Sequence, residues 1–421
     1  MQKLIIEGNR KLRGEIKVQG AKNSVLPILA ACILPENSEC VLTNCPDLSD
    51  VYCALRILKQ LGVKGSFDKN TIRLCNTQTN SFEISEELMM KMRSSIIFLG
   101  AVLGARGKCT LYYPGGCELG PRPIDMHINA LKKMGADIKE KHGALICTAD
   151  KGLSGAKINL PFPSVGATEN IILAAVKANG ETVIYNAARE PEIKDLAHFL
   201  NKCGAKIKGA GESTIIINGV DKLLGCEYSI MPDRIAAGTY IAAAAATNGE
   251  ALLDNICVED MESFLPVFEQ MGCKIYTFGK KLYINAKHPL NAVKTIRTMP
   301  HPGFPTDIQA ITMAVLCKAK GTSVFVENIF ESRFRHVDAL CKMGADIRVA
   351  GKAAVVEGVE ALSGARVSAT DLRSGAALVT AALSAYGTSE ITEICHIDRG
   401  YENIERYLTQ LEAKIKREQQ I

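Results

Sequence analysis

No apolar run in the sequence is long enough to cross a bilayer. The longest, Ile96 to Ala105, is half of the roughly 20 residues that a spanning helix needs. The opening MQKLIIEGNRKLRG alternates like a strand and lacks the apolar core of a signal peptide, which predicts a cytoplasmic protein with no membrane partner. The 15 cysteines include no CxxC pair, and the 7 histidines are scattered without ligand spacing. That argues for reduced thiols, most of them small core residues, and against a zinc site. Net charge is only +5 over 421 residues, with no interleaved basic and aromatic patch, so nucleic acid is a poor partner and a small anionic substrate a better one. What remains, 47% hydrophobic and 23% charged, is material for two globular domains.

One phrase recurs: LKQLGVK from Leu58, LKKMGADIK from Leu131, LNKCGAKIK from Leu200, FEQMGCKIY from Phe268, LCKMGADIR from Leu340 and LTQLEAKIK from Leu408. Six units of about 70 residues fill the chain. Each phrase ends an amphipathic helix, with Gly62, Gly135, Gly204, Gly272 and Gly344 as left-handed caps before a strand; the sixth unit has Glu412 instead. Ahead of it each unit has a second helix, Ala/Gly-rich and apolar on nearly every face, starting near Lys22, Arg93, Ala167, Asp233, Thr306 and Asp371. Such helices belong inside, with short strands outside. The last unit lacks its strand pair, and the opening residues, Lys3 to Gln19, are an unclaimed one. The pattern predicts an α/β protein of two inside-out domains, 21–232 and 1–20 joined with 233–421, with a ligand cleft between them.

The first turns of the buried helices carry Lys22, Asn23, Arg93, Thr168, Glu169, Asp233, Arg234, Asp307 and Arg373, and helix N-termini suit anions. The stretch YYPGGCELGPRPIDMH, from Tyr112 to His127, holds Cys117 on a glycine-flanked loop near Arg122. A thiol so placed can act as nucleophile or proton donor, or be an incidental turn cysteine. Arg189, Arg333 and Arg399 recur at one position of the repeat. A single exposed arginine is usually a surface ion pair, but several brought together would repel unless phosphate and carboxylate groups of a substrate offset them. Asp307, held by Pro300, Pro302 and Pro305, is a helix-start acid or a fixed general base; Asp371 is the other acidic candidate, and Asp307 is preferred.

GAKNS at Gly20, PGGCELGPRPIDMH at Pro114, SVGATEN at Ser164, NAAREPEI at Asn186, PDRIAAGT at Pro232, PHPGFPTDIQA at Pro300, ATDLRSGAALV at Ala369 and HIDRGYENIE at His396 together resemble the enolpyruvyl transferase family over the whole length. The resemblance implies two inside-out domains, each of three βαβαββ units. It also implies transfer of an enolpyruvyl group from phosphoenolpyruvate to the 3-hydroxyl of UDP-N-acetylglucosamine in peptidoglycan synthesis, through a tetrahedral intermediate. By the same resemblance Cys117 protonates C3 and is the target of fosfomycin. Lys22, Arg122 and Arg399 hold phosphate, Arg333 and Arg373 the carboxylate, and Asp307 takes the hydroxyl proton. Asn23, Arg93, Arg122, Pro123, Ile124, Asp125, Met126, Ser164, Val165 and Ile329 contact the nucleotide sugar. Glu118, Leu119, Ser94 and Ser374 depart from common family residues. No metal or nucleotide-cofactor motif occurs, and phosphoenolpyruvate brings its own leaving group. The rivals are a 3-phosphoshikimate enzyme of the same superfamily, which lacks the cysteine loop, a silent nucleotide-sugar-binding paralogue, and a thiol hydrolase pairing Cys117 with His127.

Overall fold

The six apolar segments form helices because alanine and leucine favour them, and their burial follows from having no polar face. In the computed structural model, which describes residues 2–77, 81–115 and 123–419, these are Lys22–Ala31, Phe98–Arg106, Val165–Ala175, Arg234–Ala246, Thr306–Leu316 and Leu372–Ser384. All 13 residues of Arg234–Ala246 are buried. Close approach needs small residues at the crossings. A Cβ on Gly100 would lie 2.2 Å from the Asn170 carbonyl oxygen, and one on Gly238 2.5 Å from Ile308. The Arg93 segment departs from one continuous helix: Arg93–Ile97 is a 3-10 turn that runs into Phe98–Arg106.

The chain packs as two compact units, one holding the residues up to Gln19 and from Pro232 onward, the other Gly20 to Met231 apart from the undescribed loop. Each has its own hydrophobic core and, among the described residues, three small sheets around its three buried helices. In the Gly20 unit the Phe98 helix packs against the Val165 and Lys22 helices. In the other unit the Arg234, Thr306 and Leu372 helices pack on one another pairwise.

In five of the six repeats a short strand pairs in parallel with the strand that follows the buried helix, and an antiparallel hairpin completes the sheet; in the second repeat the parallel edge is reduced to a single bridge between Glu83 and Thr110. Lys157–Asn159 beside Glu181–Tyr185, and Arg366–Ser368 beside Thr388–Thr392, show the arrangement. The opening residues are divided between two repeats, where the sequence pattern predicted that they would complete only the sixth. Gln2–Glu7 joins the sixth sheet between Thr388–Thr392 and Lys414–Gln419. Glu15–Lys17 pairs in parallel with Glu250–Asp254 of the fourth. The reason is topological: the fourth repeat needs a parallel edge strand ahead of its buried helix, as four of the others do. Glu227–Ser229 does the same for the first repeat, beside Glu39–Thr43.

The recurring glycines behave as the pattern requires. Gly62, Gly135, Gly204, Gly272 and Gly344 have φ between 84° and 104°, and Glu412 adopts the same hand at φ 65°. A side chain there costs roughly 1–2 kcal/mol against glycine. Among the described residues, no helix is long and apolar enough to cross a membrane.

Candidate functional site

In the unit that contains Pro232 onward, the site begins at the start of the Thr306 helix. Pro305 is its N-cap and no side chain caps it, so the Asp307 carboxylate is free to turn to side chains. It accepts hydrogen bonds from Arg373 Nε at 3.1 Å and Arg333 Nη2 at 3.3 Å. Asp371 has the capping role instead: its Oδ1 accepts from the backbone N–H groups of Arg373 at 2.9 Å and Ser374 at 3.1 Å. It lies 3.8 Å from Arg333 Nη1. The arginine cluster is thus neutralised by two carboxylates of the chain itself, a pairing the sequence reading assigned to substrate anions alone.

Both arginines are locked. Arg333, 2% exposed, also donates to the Thr306 carbonyl at 2.9 Å and lies over the Phe330 ring at 5.6 Å. Arg373 donates to Tyr401 Oη at 3.3 Å and sits 6.0 Å from that ring, while Tyr401 Oη and Thr239 Oγ1 are 2.8 Å apart. Burial opposes the charge of Asp307, but the guanidiniums of Arg373 and Arg333, with Arg234 behind them, outweigh it and hold the carboxyl well below its usual range. Burial likewise opposes the Arg373 charge, and Asp307 overcomes it. Ile329 is placed by Glu327, whose Oε1 accepts from the Ile329 and Phe330 N–H groups and whose Oε2 accepts from Thr306 Oγ1. Arg399 is half-buried and ends the 3-10 turn Ile394–Arg399. The next segment is strapped by Gln19, which donates to the Gly400 carbonyl at 3.0 Å and accepts from Glu402 N at 2.8 Å. Tyr401 and Gln19 were not among the predicted site residues, and nothing local in sequence marks them; Arg234 was marked only as a first-turn residue of its buried helix.

In the Gly20 unit, Lys22 opens the first buried helix and its Nζ lies 2.8 Å from Asp50 Oδ2, both side chains buried. Asn23 beside it is half-buried. Ser24 Oγ donates to Asp195 Oδ2, and Asp195 also accepts from Tyr228 Oη at 2.6 Å and Met231 N at 3.3 Å. Two buried carboxylates therefore fix the end of the helix that carries Lys22 and Asn23. Arg93 Nη1 donates to the Pro114 carbonyl at 3.3 Å, tying it to the approach of the cysteine loop. Gly115 N donates to the Met89 carbonyl, and a Cβ on Gly115 would lie 1.9 Å from Met90 O, so only glycine fits there. Cys117 and Arg122 lie outside the described residues.

A groove of about 640 Å³ in this unit is lined by Pro123, Asp125, Met126, Asn129, Lys133 and the Ile158–Phe162 segment. It collects three of the predicted nucleotide-sugar residues. Ser164, which caps the Val165 helix through Ala167 N, lies two residues beyond this segment. Ile124 differs from the expectation: it is 4% exposed and turned into the core. His127 is also buried, its Nδ1 2.7 Å from Asn170 Nδ2, and burial, aided by Arg93, lowers it to about 4. A neutral ring committed to Asn170 is poorly suited to serve a thiol. Arg189 spends its Nε on the Gly211 carbonyl. Among the described residues no group of three His, Cys, Asp or Glu side chains could hold a metal ion.

Residues 6–408 match the EPSP synthase (3-phosphoshikimate 1-carboxyvinyltransferase) family. The chain is 47% identical over 417 residues to UDP-N-acetylglucosamine 1-carboxyvinyltransferase 2 of Caldanaerobacter subterraneus subsp. tengcongensis, covering 99% of this chain and 100% of that one. It is 45% identical over 417 residues to UDP-N-acetylglucosamine 1-carboxyvinyltransferase of Thermotoga petrophila, covering 99% of each. Among solved structures, the enolpyruvyl transferase NikO from Streptomyces tendae superposes with a TM-score of 0.89 at 22% identity, over 99% of this chain and 98% of that one. EPSP synthase from Acinetobacter baumannii superposes with a TM-score of 0.79 at 19% identity, over 99% of this chain and all of that one. The structures establish the fold, and the near-half identity over full length separates the relatives: this chain belongs to the enolpyruvyl transferase family, on its UDP-N-acetylglucosamine 1-carboxyvinyltransferase branch.

Proposed function

We infer that the chain transfers the enolpyruvyl group of phosphoenolpyruvate to the 3-hydroxyl of UDP-N-acetylglucosamine and releases phosphate, the first committed step of peptidoglycan synthesis. The observation that carries this reading is the 47% identity over 417 residues to an enzyme of that name. The charge arrangement fits it. Arg333 and Arg373, buried and pre-oriented around Asp307, suit a carboxylate, and Lys22, Arg122 and Arg399 are the cations that the family resemblance assigns to the phosphate. The groove beside Asp125 and Met126 suits the nucleotide end, with Asn23, Arg93, Ser164, Val165 and Ile329 as further contacts. Preorganised cations stabilise charge that develops in the reaction better than water does.

In the reaction the sugar oxygen bonds to C2 of phosphoenolpyruvate, its proton passing to Asp307, while C3 takes a proton from Cys117. Elimination then returns a proton from C3 and expels phosphate from C2, leaving the enol ether. The reading also places the protein in the cytoplasm, a reducing compartment that suits its odd number of cysteines.

The test is inorganic phosphate release from phosphoenolpyruvate, with UDP-N-acetylglucosamine compared against shikimate 3-phosphate. Release with the nucleotide sugar only is the expected result, and release with shikimate 3-phosphate only would overturn the assignment. Cys117→Ser should lose most phosphate release while still binding the nucleotide sugar. Turnover at the wild-type rate in that variant would remove the acid role.

A further inference from the structure

Four thiols outside the reaction form a row in the Gly20 unit. Cys32 is the C-cap of the Lys22–Ala31 helix, and Cys40 lies in the strand Glu39–Thr43. Cys203 is the C-cap of Pro191–Lys202, and Cys226 immediately precedes the strand Glu227–Ser229. Burial, with Cys40 as a neighbour, pushes the Cys32 thiol up, while Cys203 and then Cys32 pull the Cys40 thiol down. Cys203 Sγ lies 3.5 Å from Cys226 Sγ. Backbone contacts hold that last pair in register: Leu224 N donates to the Cys203 carbonyl at 2.9 Å, and Val41 N to the Cys226 carbonyl at 3.0 Å.

Ordinary core packing accounts for Cys32 and Cys40, which are 2% and 1% exposed. Cys226 packs against the same core but is only half-buried. The Cys203 hydrogen bond favours its thiolate against the opposing effects of burial and Cys40, with a smaller contribution from Lys202. A half-buried thiol that inclines to ionise, next to a buried thiol, is the arrangement of an attacking and a resolving cysteine.

The pair also sits where it can be felt. The helix that ends at Cys203 carries Asp195, and Tyr228 lies two residues beyond Cys226. Asp195 accepts hydrogen bonds from both Tyr228 and Ser24. The Lys22 and Pro191 helices touch: Ser24 meets Asp195 in the first part of each, and Cys32 and Cys203, their C-caps, both neighbour Cys40. The interval from clasp to thiol is the same on both helices, about 12 Å of rise.

We propose that Cys203 and Cys226 are a redox modification site, at which a peroxide closes a disulfide that weakens nucleotide-sugar binding. The Cys226 thiolate attacks a peroxide oxygen, the O–O bond breaks, and a sulfenic acid and the first water result. The Cys203 sulfur then attacks the Cys226 sulfur, its proton leaving with the hydroxyl as a second water. Two thiols lose two electrons in all, and hydrogen peroxide gains them. The sulfurs must close from 3.5 Å to about 2.05 Å, which draws the start of Glu227–Ser229 toward the end of the Pro191 helix. Both elements meet at Asp195, so the clasp on Ser24, and with it Asn23 and Lys22, shifts. The link to binding rests on the proposed function.

The test uses full-length Cys117→Ser protein, so that oxidation of the loop thiol cannot be read. After treatment with hydrogen peroxide, peptide mapping should show a dithiothreitol-sensitive link between Cys203 and Cys226. Calorimetry should show a several-fold weaker affinity for UDP-N-acetylglucosamine, restored by dithiothreitol and unaffected by peroxide when Cys226→Ser or Cys226→Ala is added. If both thiols still alkylate under conditions that oxidise the exposed Cys341 and Cys395, the modification site is refuted. If the link forms and affinity is unchanged, the coupling is refuted. Failure of the reduced protein to bind the nucleotide sugar would instead count against the proposed function, since the peptide map does not depend on it.

Discussion

Asp307→Ala is the most informative perturbation, because its carboxylate has one duty visible in the structure and a second, separable one in the proposed reaction. The first is structural. Its removal deprives Arg333 and Arg373 of hydrogen bonds at 3.3 and 3.1 Å. A hydrogen bond to a charged group contributes about 1.5–3 kcal/mol. The Asp307 side chain is 31% exposed, and Asp371 and Tyr401 remain beside the two guanidiniums, so screening and residual partners reduce the expected loss to about 1–2 kcal/mol. The second duty is chemical. Loss of a positioned base lowers kcat about 10²–10⁴-fold, or about 3–5 kcal/mol at 1.36 kcal/mol per decade. Asp307→Asn separates the two duties, keeping an acceptor for the arginines while abolishing proton transfer. Its stability should stay within about 1 kcal/mol of wild type and its kcat should fall as far as that of the alanine variant. Phosphate release under saturating substrates measures the rate, and urea denaturation the stability. An unchanged kcat in Asp307→Asn would show that the group only holds the arginines.

Burial keeps His127 and His336 at about 4 in the folded protein against an ordinary 6.5. Since the folded values are depressed, the associated stability is complete above pH 6.5 and lost as pH falls toward 4, at about 2 kcal/mol per histidine by pH 5. The urea midpoint should therefore fall between pH 7 and pH 5, and less steeply in His336→Gln; a flat profile would contradict the burial. Glu412→Gly should stabilise the protein by about 1 kcal/mol, because the residue there holds φ 65°; a lower urea midpoint would show that the Glu412 side chain contributes more than the backbone loses. Gly100→Ala should cost at least about 1–3 kcal/mol, because its Cβ would lie 2.2 Å from the Asn170 carbonyl oxygen; a wild-type melting temperature would mean the helices can part without loss.

The repeat was legible because its signals are local. A glycine cap after an amphipathic helix, and a helix apolar on all sides, each announce themselves within a dozen residues. Even Glu412, which breaks the letter pattern, keeps the backbone pattern. What the pattern could not show was strand partnership across long separations. Glu15–Lys17 and Glu227–Ser229 are 3 residues each, too short to carry a periodicity, and their partners, Glu250–Asp254 and Glu39–Thr43, lie about 200 residues away in sequence. Such pairing is decided by the vacancy at a sheet edge, which no local window contains.

The site was legible in its residue types and not in its internal pairing. Sequence placed arginines and Asp307 at recurring positions and left their charges for substrate to neutralise. In the folded chain Asp307 lies between Arg333 and Arg373, and the same contact that orders the guanidiniums makes the carboxylate a weak base. The two roles proposed for this cluster, holding an anion and accepting a proton, therefore compete in the free protein. They stop competing once a substrate carboxylate takes up the guanidiniums, because Asp307 then loses the contacts that hold it acidic and its affinity for a proton rises. On this argument phosphoenolpyruvate prepares the base that its own reaction needs. The acidic limb of kcat, measured with phosphoenolpyruvate bound, should lie at higher pH than that of kcat/KM for phosphoenolpyruvate, which reports the free enzyme. Coincident limbs would mean that the arginines keep their grip on Asp307 throughout the cycle.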